Sequence, residues 1–143
     1  MLQGSILFRA NVDEYNYGMC TFFVTVQKGA LEVQTSFYGD ANSWKGFGNA
    51  LLAFPTKTTQ YLFFQSGIDS YAEEKILLKA YCYDSLGHAA LTVNIDHQKE
   101  PPNDFRINFS IPAEVASLNQ LGRLLAKWEV KDNSEIYWEA QTS

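Results

Sequence analysis

Residues 75–96 place two runs of alternating apolar and polar side chains on either side of Asp84-Ser85-Leu86-Gly87, and this pattern restricts the fold more than any other. A period of two marks a strand with one buried face. Folded antiparallel about Ser85-Leu86, the runs set Ile76 against Ile95, Leu78 against Val93, Ala80 against Leu91 and Cys82 against Ala89, an apolar row throughout. The opposite row pairs Lys75 with Asp96, Lys79 with Thr92, Tyr81 with Ala90 and Tyr83 with His88. Such a ribbon must turn its first row inward and its second outward.

The same logic predicts a second hairpin in "CTFFVTVQKGALEVQTSFYG", with Lys28-Gly29 as its turn. That turn pairs Val26 with Leu31, Val24 with Val33, Phe22 with Thr35 and Cys20 with Phe37. "DFRINFSI" alternates again, with Phe105, Ile107, Phe109 and Ile111 on one side. Weaker strand patterns lie at residues 5–10, 59–65 and 134–139. Two segments read as helices. Over about 41–54, Trp44, Phe47, Leu51 and Phe54 recur at helical steps, Asp40 to Ser43 offer caps, and Pro55 ends the run. Gly46 and Gly48 weaken that helix. Over 117–128, Ser117 and Gln120 have capping-box spacing, and Leu118, Leu121, Leu124, Leu125 and Trp128 share a face. Strands outnumber helices and no β-α-β alternation occurs. The expected architecture is therefore a single α+β domain over residues 1–143, a mainly antiparallel sheet built from hairpins with both helices packed on it.

Of the 143 residues, 46% are hydrophobic and 15% aromatic, with ten Phe, eight Tyr and three Trp, a content that suits packed sheets. The net charge is −5 and the eleven Lys and Arg are scattered, which argues against nucleic acid, where cations must cluster along phosphates. No apolar run approaches the roughly 20 residues that cross a bilayer, and the start lacks a signal-peptide pattern. A cytoplasmic protein is expected, with no membrane and no cofactor. Two cysteines, Cys20 and Cys82, make no disulfide framework, and both fall on inward parity.

Asp84, Ser85 and His88 contain the residue types of a nucleophile, base and acid, but neighbours on one tight turn diverge rather than converge on a substrate. The expected role of Asp84 is to accept turn amides, with Gly87 supplying a permissive backbone and His88 opening the next strand on its outer face. His88 and His97 have no partner at metal-ligand spacing, so no metal site and no catalytic set is expected. Gly46-Phe47-Gly48 lacks the third glycine of a dinucleotide fingerprint. The carboxylates of "IDSYAEEK" read as a solvated loop. A hydrolase would need Asp84, Ser85, Asp96 or His97 to meet groups from distant strands.

The order of these elements resembles the small bacterial family of WapI-type immunity proteins and their relatives. The likeness is carried by the helix ending in "LLAFP", by "YDSLGHAALTVNID", where the family has an acidic-Gly-x-Gly-His turn, by "NDFRINFSI", and by the leucine-rich helix from Leu118 to Trp128. It covers most of residues 5–128. The sequence departs from the pattern at Ser85, in the insertion "PAEVAS", and over residues 130–143. The resemblance implies a non-enzymatic protein that binds and neutralises a toxin made by the same cell. Outward aromatic residues are the candidate partner-binding positions: Phe23, Tyr38, Tyr81, Tyr83 and His88, with Tyr137 and Trp138 from the terminal "EIYWEA". The alternative function is a small-ligand module with an apolar pocket between sheet and helix.

Overall fold

The computed structural model describes residues 1–15, 17–66 and 73–143. The described chain is α+β. In order, it runs through β1 (Leu2–Asp13), β2 (Met19–Lys28), β3 (Leu31–Gly39), α1 (Lys45–Leu52), β4 (Tyr61–Ser66), β5 (Glu74–Cys82), β6 (Ala89–His97), β7 (Phe105–Pro112), α2 (Val115–Lys127) and β8 (Ser134–Gln141). The strands form two antiparallel sheets instead of the one expected. The first has the order β3-β2-β1-β8 and the second β4-β5-β6-β7. Every strand of the second sheet follows its predecessor, a meander, whereas the first is closed by β8 returning from the end of the chain to pair with β1.

The β5–β6 hairpin has the predicted register, Ile76 opposite Ile95 through Cys82 opposite Ala89. The β2–β3 register is displaced. Val26 lies opposite Val33, Phe22 opposite Phe37, and Lys28 opposite Leu31, so the two turn residues are Gly29 and Ala30, not Lys28 and Gly29. Tight hairpin turns need a positive φ at their first central position, and only this centring puts a glycine there, with φ of 59° at Gly29. A displacement of two leaves face parity unchanged, so Cys20, Phe22, Val24 and Val26 still point inward.

Between the sheets lies one apolar core in which Trp44, on the turn before α1, is the central plug. Its indole stacks on Phe64 of β4 at 3.9 Å and meets Phe8 of β1 edge-on at 5.0 Å, thereby joining the two sheets. Aromatic pairs of this kind add roughly 0.5–1.5 kcal/mol beyond the area they bury. At the exposed rim the sheets are also linked, with Lys28 Nζ of β2 donating to Ser110 O of β7 at 2.5 Å.

The helices differ from their predicted ends. α1 begins at Lys45, four residues later than expected, because Asp40 and Ser43 close a separate turn: Asp40 Oδ1 accepts the Asn42 amide at 2.8 Å and Ser43 Oγ the Asp40 amide at 2.9 Å. α2 begins at Val115, which places Ser117 at its third residue instead of its cap. The hydroxyl is drawn into tertiary contacts, donating to Glu139 O at 3.1 Å and accepting from the Gln141 amide at 3.0 Å. It anchors the helix to β8.

Each helix caps the other. Lys45 Nζ donates to Ala126 O and Trp128 O at the end of α2, at 3.1 and 2.6 Å. Asn119 Nδ2 donates to Leu51 O and Phe54 O at the end of α1, at 2.8 and 2.9 Å. Carbonyls that a helix end leaves bare are thus satisfied across the pair. The axes approach so closely that a Cβ on Gly48 would lie 2.7 Å from Ala126 N, and one on Gly122 2.7 Å from Leu51 Cβ. Gly48 therefore serves a helix crossing.

Candidate partner-binding faces

Since inner rows fill the core, the outer rows of the two sheets are what the molecule presents. On the first sheet they run Glu135–Arg9–Phe23–Ser36, Tyr137–Leu7–Thr25–Gln34 and Glu139–Ser5–Gln27–Glu32, with Tyr38 beside Thr21 at one end. Tyr38 is 82% exposed and Tyr137 51%. Phe23 is half-buried beneath the Arg9 guanidinium, 4.7 Å from its ring. Asp13, Glu32, Glu135 and Glu139 face outward from these strands against Arg9, so the face is acidic as well as aromatic.

The second sheet presents the reverse. Its outer rows run Tyr61–Tyr81–Ala90–Pro112 and Phe63–Lys79–Thr92–Ser110, then Lys75–Asp96–Arg106 toward the other end. The Lys79 ammonium lies over two rings, 5.6 Å from Tyr61 and 5.2 Å from Tyr81, an arrangement that favours a cation. Tyr81 OH, Ser110 Oγ and Thr92 Oγ1 form a chain at 3.2 and 3.0 Å. Tyr61 is 59% exposed and Phe63 55%. Sequence reasoning missed both, because "YLFF" is apolar at every position and shows no period; pairing with β5 decides which side faces out.

At the tip of the β5–β6 hairpin Asp84 behaves as expected of a turn acceptor. Its Oδ1 accepts the amides of Leu86 and His88 at 3.0 and 3.1 Å, and its Oδ2 lies 2.6 Å from His88 Nδ1. The His88 ring contact foremost, then these amides, holds the Asp84 carboxyl below the usual carboxylate range. Gly87 has φ of 87°. Tyr83 stacks on the exposed His88 ring, centroids 6.0 Å apart.

Trp138 does not belong with the partner-binding candidates. It is 1% exposed and its Nε1 donates to Ser117 O at 2.8 Å. Adjacent residues of a strand point to opposite faces, so Tyr137 and Trp138 cannot both face outward. The remaining candidates divide between the two sheets: Phe23, Tyr38 and Tyr137 on the first, Tyr81, Tyr83 and His88 on the second.

His97 does meet groups from distant strands. Its Nε2 lies 3.2 Å from Thr35 Oγ1 and 3.6 Å from Glu74 Oε1, while Glu74 Oε2 accepts from the Ser36 amide and hydroxyl at 2.9 and 2.7 Å. A nucleophilic relay needs the hydroxyl on one ring nitrogen and the acid on the other. Here both approach Nε2, and both His97 and Thr35 are buried, so the arrangement ties β3 to β5 and β6. Burial foremost, with Lys99 assisting, pushes the His97 pKa down against the opposing pull of Glu74 and Asp96. Glu74 thus departs from the solvated role expected of it; residues 68–72 of the same stretch lie outside the described residues. A polar cleft of about 330 Å³ opens beside His97, between residues 96–99 and 104–106. Cys20 and Cys82 are free thiols, each raised in pKa chiefly by burial and further by Asp40 and Asp84 respectively, which weakens them as nucleophiles. Among the described residues no cluster of His, Cys, Asp or Glu is placed to hold a metal ion, and no helix is long and apolar enough to cross a membrane.

No family model and no curated protein matches the chain. A solved structure described as "Structure of the plant transcriptional regulator PBF-2" aligns over 87% of this chain and 78% of that one, with a TM-score of 0.50 at 10% identity. At that identity the likeness is one of fold.

Proposed function

We propose that this chain is a non-enzymatic binding protein of the immunity type, which neutralises a toxin through the acidic, aromatic outer face of its first sheet. The observation that carries the reading is the combination on one uncovered sheet of outward carboxylates with Tyr38, Tyr137 and the Arg9-capped Phe23. Tyrosine supplies rigid contact area with a polar tip, and carboxylates speed encounter with a basic surface. The resemblance to WapI-type immunity proteins supports the same reading and supplies the partner class: a toxin of the same cell, met in the cytoplasm, with neither nucleic acid, membrane nor cofactor involved. The reaction-like groups at Asp84 and His97 have structural work of their own, which also favours binding over catalysis.

The test begins with the neighbouring genes. A large secreted toxin encoded immediately upstream is expected, and its co-expression with this chain should restore growth. Isolation among metabolic genes, or failure to rescue, would contradict the reading.

A further inference from the structure

We propose that the basic, aromatic outer face of the second sheet docks a second copy of this chain, against the acidic outer face of that copy's first sheet. The two faces match in kind. Each is a four-stranded surface that no described helix or strand covers, with aromatic and aliphatic side chains: Phe23, Tyr137 and Leu7 on one, Tyr61, Phe63 and Leu77 on the other. They are opposite in sign. Along the paired strands of the second, Lys75 and Lys79 stand beside an Arg106–Asp96 ion pair at 3.4 Å, while four carboxylates outweigh Arg9 on the first.

Charge selects the pairing. First sheet on first sheet would bring two sets of carboxylates together, and second on second would oppose lysines to lysines, so the symmetric dimers are disfavoured. First on second places Lys79, held over the Tyr61 and Tyr81 rings, against carboxylates such as Glu139. Four strands at about 4.8 Å spacing and eight residues at about 3.3 Å give a face of roughly 500 Å². That lies below the roughly 800 Å² per partner of a standard stable complex, so the association is weak, reversible and weakened by salt. Because the two surfaces differ, each added copy leaves a free face, and growth continues past two unless a ring closes. The acidic face is the one assigned to the toxin, so a basic partner would compete with self-association. The proposal stands without that assignment, since it is read on the purified chain alone.

Sedimentation equilibrium over a hundredfold concentration range tests it. At about 20 mM salt the average mass should climb past that of a dimer, and at about 500 mM it should fall back toward the monomer. Lys79→Glu and Glu139→Lys should each weaken association about tenfold or more while leaving circular dichroism and thermal unfolding unchanged. Mixed together, the two variants should associate again and grow past two, since unaltered faces meet at one contact and the two reversed charges meet at the other. A chain that stays monomeric at low salt would overturn the proposal. So would a dimer indifferent to Glu139→Lys, or a mixture no more associated than its parts.

Discussion

The two sheets have the same strand number, the same antiparallel pairing and a common core, yet their outer faces carry opposite chemistry. On the first, carboxylates surround Phe23, Tyr38 and Tyr137; on the second, Lys79 lies between Tyr61 and Tyr81, with Lys75 and Arg106 beyond. What differs between them is confined to positions that contribute little to folding. The inner rows determine that the chain folds, and the outer rows determine what it meets.

If that division is right, inner substitutions should affect both sheets alike. Trp44→Ala removes the ring that joins Phe8 to Phe64 and should cost about 3–5 kcal/mol, read by urea unfolding as one transition reported equally by both sheets. Loss of the second sheet alone would break the comparison. The next effect sharpens it at the helix pair. Gly48→Ala forces a methyl to 2.7 Å from Ala126 N and should destabilise by about 1–3 kcal/mol, whereas at Gly46 the added methyl meets nothing within 4 Å and should stabilise by about 0.5–1 kcal/mol.

A smaller effect depends on pH. Folded His97 resists protonation, so below the ordinary histidine pKa of about 6.5 the unfolded chain takes up a proton that the folded chain refuses, and stability falls as pH drops toward the lowered folded value. His97→Gln should flatten that slope. Asp84 acts lower on the scale: its depressed carboxyl contributes above about pH 4, and the contribution is lost on further acidification, a step that Asp84→Asn should remove. The smallest effect belongs to the outer faces themselves. Glu139→Lys and Lys79→Glu should each change folding stability by no more than about 0.5 kcal/mol in thermal unfolding.

The strands were legible wherever one face is buried and the other solvated. Period-two alternation placed β2, β3, β5, β6 and β7 within a few residues of their ends, and it gave the register of β5–β6. It failed where a segment is apolar throughout, as in "YLFF", and where a two-residue slip preserves parity, as at Gly29. Division into two sheets was hidden because local pairing says nothing about which hairpins join; β8 finds β1 across almost the whole chain. Ser117 looked like a cap since its spacing to Gln120 is local, whereas its partners lie on β8. Of the candidate face, parity gave Phe23, Tyr38 and Tyr81; it missed Tyr61 and Phe63 and would have excluded Trp138 had it been applied to β8.

The most direct test of the acidic face as the partner face is toxin rescue by matched tyrosine variants. Co-expressed with the product of the upstream toxin gene, the unaltered chain and a Tyr83→Ala variant should both restore growth, while Tyr38→Ala/Tyr137→Ala should not, although it folds and accumulates equally. Rescue by the double variant, loss of rescue with Tyr83→Ala alone, or no rescue by the unaltered chain would contradict the account.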